Sequence, residues 1–258
     1  MTAAPLRIAV VYPDLLGTYG DGGNGLILAK RAQWRGYPVQ LLEAASDAPL
    51  PEADLYCLGG GEDGPQVRAA RSLTEEGTLA RRVADGAVVL AVCAGYQIVG
   101  ASFPGADGAL HAGVGLLDIT TVKGEGPRAV GEVRADPFDL PDQATLPTLT
   151  GFENHGGVTA LGAGAAPLAQ VRVGVGNGDG SGTEGAVSGR VLGTYLHGPV
   201  LARNPALADL LLGWAIGTDA LAPLDDSAEE ALRLERLGTT APRRRRLARF
   251  RRGGRKDT

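Results

Sequence analysis

Up to Gly100 the apolar positions come in short unbroken runs, separated by glycine-rich turns or by stretches with helical spacing. Residues 6–12 (LRIAVVY) read as a first strand, 13–24 as a Gly- and Asp-rich loop, and 25–35 as a helix with Leu26, Ala29 and Ala32 among its apolar positions. Residues 38–42 and 54–58 read as a second and a third strand, the third closed by Gly59-Gly60-Gly61, and 65–84 are helical in pattern. The run 87–92 (AVVLAV) then leads into Cys93, Ala94 and Gly95, followed by the helix-compatible residues 96–99. Uninterrupted apolar runs of this length suit strands buried on both faces, and their alternation with helices predicts βαβ units. The fold class expected is α/β, a mostly parallel sheet flanked by helices.

Past Gly100 the texture changes. Residues 113–122, 129–134 and 149–152 are short strand candidates with little helical pattern between them. Residues 186–196 (AVSGRVLGTYL) predict a late core strand ending at His197, and 204–216 a helix with Asn204 as N-cap and Pro205 in its first turn. Residues 226–237 predict a last amphipathic helix. No internal repeat is present. The expected organisation is one domain over 1–240 and a basic, disordered tail over 241–258.

Composition alters this picture in two respects. Glycine, 40 of 258 residues, falls mostly between apolar runs and reads as tight turns. Net charge is −4, but residues 243–258 alone carry +8, which leaves −12 on the remainder: an acidic globule with an arginine-rich tail. Nucleic acid is a poor partner for such a globule. Two cysteines make no disulfide framework and suit a reducing cytoplasm. The first apolar run is too short for a signal peptide, and no run is long enough to span a membrane.

Chemistry concentrates at Cys93. Small residues at 91, 94 and 95 allow a sharp strand-to-helix turn that would project the thiol from the carboxyl edge of the sheet, near a helix N-terminus that favours thiolate. A nucleophilic thiol needs a base, and His197, at the end of a later strand, is the candidate. His155, in GFENHGG, is its rival; His111 is a weaker one. Backbone amides of Gly60 and Gly61, with that of Ala94, are candidates for stabilising an oxyanion. Gly59 and Gly64 have the spacing of a phosphate-binding loop, but Pro65 stands where its lysine belongs, so no ATP site is expected. No metal-ligand cluster is evident. Cys57, inside the third strand, reads as a buried structural thiol.

The stretches LGGGEDGPQ, CAGYQ and YLHGPVLARNP together resemble a class I glutamine amidotransferase domain of the cobyric-acid-synthase-like branch. YPDLLGTYGDGGN and GFENHGG are similar to glutaminase subunits of lipid II isoglutaminyl synthases. The resemblance spans about residues 6–216. It implies a flavodoxin-like glutaminase in which Cys93 forms a γ-glutamyl thioester, His197 serves as base and proton donor, and Arg128, Gln97, Gly60, Gly61 and Ala94 contact the substrate. It further implies a heterodimer with a Mur-ligase-like subunit. That partner would hold ATP and magnesium and use the released ammonia to amidate the D-glutamate α-carboxyl of lipid II, in peptidoglycan biosynthesis. No cofactor is implied for this chain, and a cytoplasmic place at the inner membrane face follows from the substrate.

Two departures from the family pattern stand out. Ala91 replaces a glycine two residues before the cysteine, and Pro199 stands where most members have a glutamate two residues after the histidine. The orienting acid of the triad is therefore missing from its usual place, and a carboxylate from the partner subunit is the expectation. The alternatives are a cobyrinate-type amidotransferase subunit, or a non-catalytic binding module with a relic cysteine. The tail is either solvated or drawn to anionic lipid.

Overall fold

The computed structural model describes residues 4–18, 20–140, 146–218 and 220–239. The N-terminal half builds strands β1 (Leu6–Val11), β2 (Val39–Ala44), β3 (Leu55–Leu58) and β4 (Val88–Val92). It also builds helices α1 (Gly23–Trp34), α2 (Asp63–Glu76), α3 (Thr78–Ala84) and α4 (Ala94–Ile98). Every residue of β3 and β4 is buried, as the unbroken Val/Leu/Ala runs require. The helical pattern of 65–84 is two helices rather than one, because Gly77 takes a left-handed φ of 68° and ends α2.

Eight strands of the middle region are β5 (Ser102–Pro104), β6 (Leu110–Ala112), β7 (Ile119–Lys123), β8 (Ala129–Pro137), β9 (Leu149–His155), β10 (Gly157–Leu161), β11 (Ala169–Val173) and β12 (Thr183–Glu184). The chain then returns through β13 (Ala186–Ser188), β14 (Val191–Thr194), α5 (Val200–Arg203), α6 (Pro205–Ile216) and α7 (Ser227–Thr239). The single late strand expected over 186–196 is thus a hairpin, β13 antiparallel to β14, because Gly189 at φ 54° turns the chain.

The main sheet has the order β13-β14-β4-β3-β1-β2, parallel from β14 to β2. This is the mostly parallel sheet the alternation predicts, in the flavodoxin-like arrangement the resemblance implies. From β1 the chain steps one way to β2, and from β3 the other way to β4; right-handed crossovers therefore place α1 and the α2–α3 pair on opposite faces. Accordingly α1 packs on α5 and α6, while α2 packs on α4. Two smaller sheets, β10-β7-β5-β6 and β12-β11-β8-β9, form the rest. No helix among the described residues is long and apolar enough to cross a membrane. The arginine-rich tail, 241–258, lies outside the described residues.

Long-range polar contacts close the fold. Arg31 of α1 is buried and bonds Asp209 of α6 (2.7 and 2.8 Å) and Asp226 just before α7 (2.5 and 2.9 Å). Asn204 precedes α6 as expected, yet its side chain does not cap the helix: it bonds the Thr150 backbone in both directions and the Val200 carbonyl.

Gly193 in β14 lies against the ring of Tyr96, and a Cβ there would come within 2.0 Å of a ring carbon. Gly193→Ala should therefore destabilise the protein by about 3 kcal/mol, the upper range of core overpacking. Denaturant unfolding measures this, and an unchanged midpoint would contradict the close packing of β14 on α4.

Candidate active site

Three loops at the carboxyl edge of the parallel sheet converge on one point. Cys93 joins β4 to α4 and adopts φ 54°, ψ −107°, a conformation that costs a residue with a Cβ about 1–3 kcal/mol. It is held there by its neighbours. Its N–H donates to the Thr194 carbonyl (2.9 Å), and the next turn is pinned by Gly95 N–H to the Gly59 carbonyl (3.1 Å). Gly95 has no room for a side chain, since a Cβ would meet Leu58 at 2.7 Å. The sulfur is 5% exposed as a residue and stands at the floor of a cleft of about 260 Å³.

His197 follows β14 and is tied by its backbone to Phe152 of β9, with bonds of 2.9 and 3.2 Å. Its Nδ1 lies 3.0 Å from Asp21 Oδ2. Burial alone would depress the imidazolium. The Asp21 carboxylate and the Cys93 sulfur outweigh it and raise the His197 pKa to about 10. Cysteine, histidine and aspartate thus form one charge-coupled group, in the order in which a nucleophile, its base and an orienting acid must stand.

Asp21 is the residue the sequence reading missed. The carboxylate expected from a partner subunit is supplied by this chain, 176 residues before the histidine it orients. The available signal was the loop YPDLLGTYGDGGN, with an acid among glycines after the first strand. Asp21 is 2% exposed, and its Oδ2 also accepts the Gly60 N–H at 2.9 Å. The Gly60 amide is therefore engaged by the acid, and Gly60 is not among the residues that line the cleft. The glycines are needed because this loop lies directly on them: a Cβ at Gly59 would sit 2.2 Å from the Leu16 carbonyl and one at Gly61 2.7 Å from that of Leu15.

Gly61, Ala94, Gln97 and Arg128 all line the cleft with Cys93. Gln97 has both polar atoms engaged, its Oε1 accepting from Gln66 (2.8 Å) and its Nε2 donating to the Tyr195 hydroxyl (3.2 Å). Arg128 donates to Asn154 through Nε (2.5 Å to Oδ1) and Nη2 (2.9 Å to the carbonyl). That same carbonyl lies 3.9 Å from the Cys93 sulfur, so Asn154 links the arginine to the thiol.

The rival histidines have other partners. His155 is buried, stacks on Tyr195 at 3.7 Å, and has Nδ1 2.9 Å from the Gly157 carbonyl; it walls the cleft but is not oriented by Asp21. His111 sits in β6 against Phe103, with ring centres 5.9 Å apart. Cys57 is buried in β3, and desolvation pushes its thiol up to about 12, which makes it inert.

Comparison with known proteins agrees with this geometry. The subunit GatD of lipid II isoglutaminyl synthase (glutamine-hydrolyzing) from Staphylococcus aureus strain N315 is 36% identical over 202 residues, 77% of this chain and 79% of that protein. The GatD of Streptococcus pneumoniae strain ATCC BAA-255 / R6 is 34% identical over 214 residues, covering 82% and 80%. The structure of PurLQS from Thermotoga maritima has a TM-score of 0.57 at 18% identity, covering 83% of this chain and 96% of that one, a likeness of fold. The model of the CobB/CobQ-like glutamine amidotransferase domain matches residues 7–205, from the strand that leads into the Asp21 loop to the helix after His197, and the protein belongs to that family.

Proposed function

We propose that this chain is the glutamine-hydrolysing subunit of a two-component enzyme that amidates lipid II. The observation that carries the reading is the strained Cys93 elbow facing an imidazole already oriented by Asp21. The lipid II assignment is supported by the relatives of similar length and 34–36% identity.

The geometry supports the following chemistry. His197 takes the thiol proton, and the Cys93 sulfur attacks the side-chain amide carbon of L-glutamine. The carbonyl oxygen becomes an oxyanion between the backbone amides of Gly61 and Ala94. His197 returns its proton to the leaving nitrogen, the C–N bond breaks, and ammonia departs from a γ-glutamyl thioester. Water, deprotonated by His197, then cleaves the thioester to glutamate and regenerates the thiol. Arg128, steadied by Asn154, holds the substrate at the cleft wall.

Ammonia passes to a Mur-ligase-like subunit that binds ATP and magnesium and amidates the D-glutamate α-carboxyl. The heterodimer works at the cytoplasmic face of the membrane, where the lipid-linked acceptor is reached. The arginine-rich tail supplies electrostatic attraction to anionic lipid.

Three results are expected. Cys93→Ser should abolish glutamine hydrolysis while leaving amidation from added ammonium chloride intact in the complex; loss of both would point to a structural thiol. Asp21→Asn should lower kcat by on the order of 10²-fold, the usual contribution of a positioned proton-transfer group, with L-glutamine KM changed far less. The third concerns stability. The folded pKa of His197, about 10, lies above its unfolded value of 6.5, so the stabilisation is complete below about pH 6.5 and vanishes as pH rises through about 10. Unfolding free energy measured across that window should decline more steeply in the wild type than in Asp21→Asn; equal slopes would show that the carboxylate does not hold the proton.

A further inference from the structure

The cleft above Cys93 carries charge that the mechanism leaves unused. Asp63 enters it from the first turn of α2, which leaves the parallel sheet; Lys123 enters from the end of β7, in one of the smaller sheets. Neither side chain makes a hydrogen bond or ion pair with another described residue, whereas Arg128 beside Lys123 is already bonded twice to Asn154. An anion on one wall, a free cation on the other and a nucleophile at the floor form a receptor for a molecule that bears both charges at one end and an amide at the other.

We propose that Asp63 binds the α-ammonium and Lys123 the α-carboxylate of the amino acid whose side-chain amide meets Cys93, so that the two select a zwitterion over simple amides. This inference rests on the glutaminase reading and deepens it. The physical reason is that each charge in a half-enclosed cleft gains a charge-assisted hydrogen bond only when the complementary group is present. A substrate that lacks one group leaves its partner desolvated and unpaired, and that loss is what discriminates. Binding both ends of the zwitterion also fixes the direction in which the side chain extends toward the thiol. Asp63 stands in the first turn of a 14-residue helix, where a carboxylate also steadies the helix terminus. The test must therefore separate recognition from stability.

The experiment measures ammonia release by the full-length chain, together with its synthetase partner where the two co-purify. The substrates are L-glutamine and glutaramate, which has the same amide and carboxylate but no amino group. Asp63→Asn should raise KM for L-glutamine about ten- to a hundredfold, the loss of one charge-assisted hydrogen bond, with kcat unchanged and no effect on glutaramate. Asp63→Glu should recover part of the loss, and Lys123→Gln should weaken both substrates alike. An unchanged KM in Asp63→Asn overturns the proposal, as does a fall in kcat that tracks a lowered melting temperature. A wild-type chain that releases no ammonia from L-glutamine removes the glutaminase reading and this inference together, and is told apart from the other outcomes by that control.

Discussion

One carboxylate oxygen, Oδ2 of Asp21, holds the site together. It lies 3.0 Å from the Nδ1 of His197 and accepts the Gly60 amide at 2.9 Å, and it does so almost wholly out of water. A buried carboxylate is tolerated only when its charge is answered, and an imidazolium loses most by burial when it has no counter-charge. Each ion here removes the other's penalty. The result is a histidine that keeps a proton well above its ordinary range and a thiol that faces a positive neighbour. Removing the carboxylate leaves the imidazole buried beside a sulfur without the counter-charge that holds its proton.

The sheet order explains how residues so far apart in sequence come together. β1, β3 and β4 are adjacent, and β14 completes the row beside β4. Because these strands are parallel, the loops that follow them all emerge at one edge: the loop with Asp21 after β1, the glycines after β3, Cys93 after β4, and His197 after β14. Chain direction turns at the β1–β3 boundary; there the two loops touch, with Gly59 and Gly61 against Leu16 and Leu15, and the cleft opens beyond them, over Gly61, Cys93 and the smaller sheets. The smaller sheets contribute the other wall, with β9 delivering Asn154 and also bridging Phe152 to His197.

The parallel half of the fold was legible because β3 and β4 are buried along their whole length and carry no charged residue to blur the pattern. Cys93 and His197 were legible for the same reason, each ending such a run. Asp21 was not. Nothing in a glycine-rich loop with two acids, Asp14 and Asp21, states which will point inward; that is settled by contact with Gly59 and Gly60 across the sheet. The hairpin of β13 and β14 was read as one strand since Gly189 and Arg190 interrupt an apolar stretch without breaking it. Gln97, which the resemblance placed at the substrate, lines the cleft beside Cys93, and both ends of its amide are also engaged by neighbours.

Those neighbours show what else the amide does. Gln66 of α2 bonds Gln97 of α4; Gln97 bonds Tyr195 after β14; Tyr195 bonds Thr159 of β10, and Thr159 bonds Thr121 of β7. The chain of bonds runs from the parallel sheet's own helices to the smaller sheet opposite, beneath the floor of the cleft. Polar groups buried at a seam between layers restrict the layers to one alignment, because any slip leaves a donor or acceptor unsatisfied at about 1–3 kcal/mol each. Apolar packing alone would permit small slides of one sheet over the other. The strained turn at Cys93 and the 3.0 Å approach of Asp21 to His197 tolerate no such slide, so the seam is polar where the chemistry demands registry.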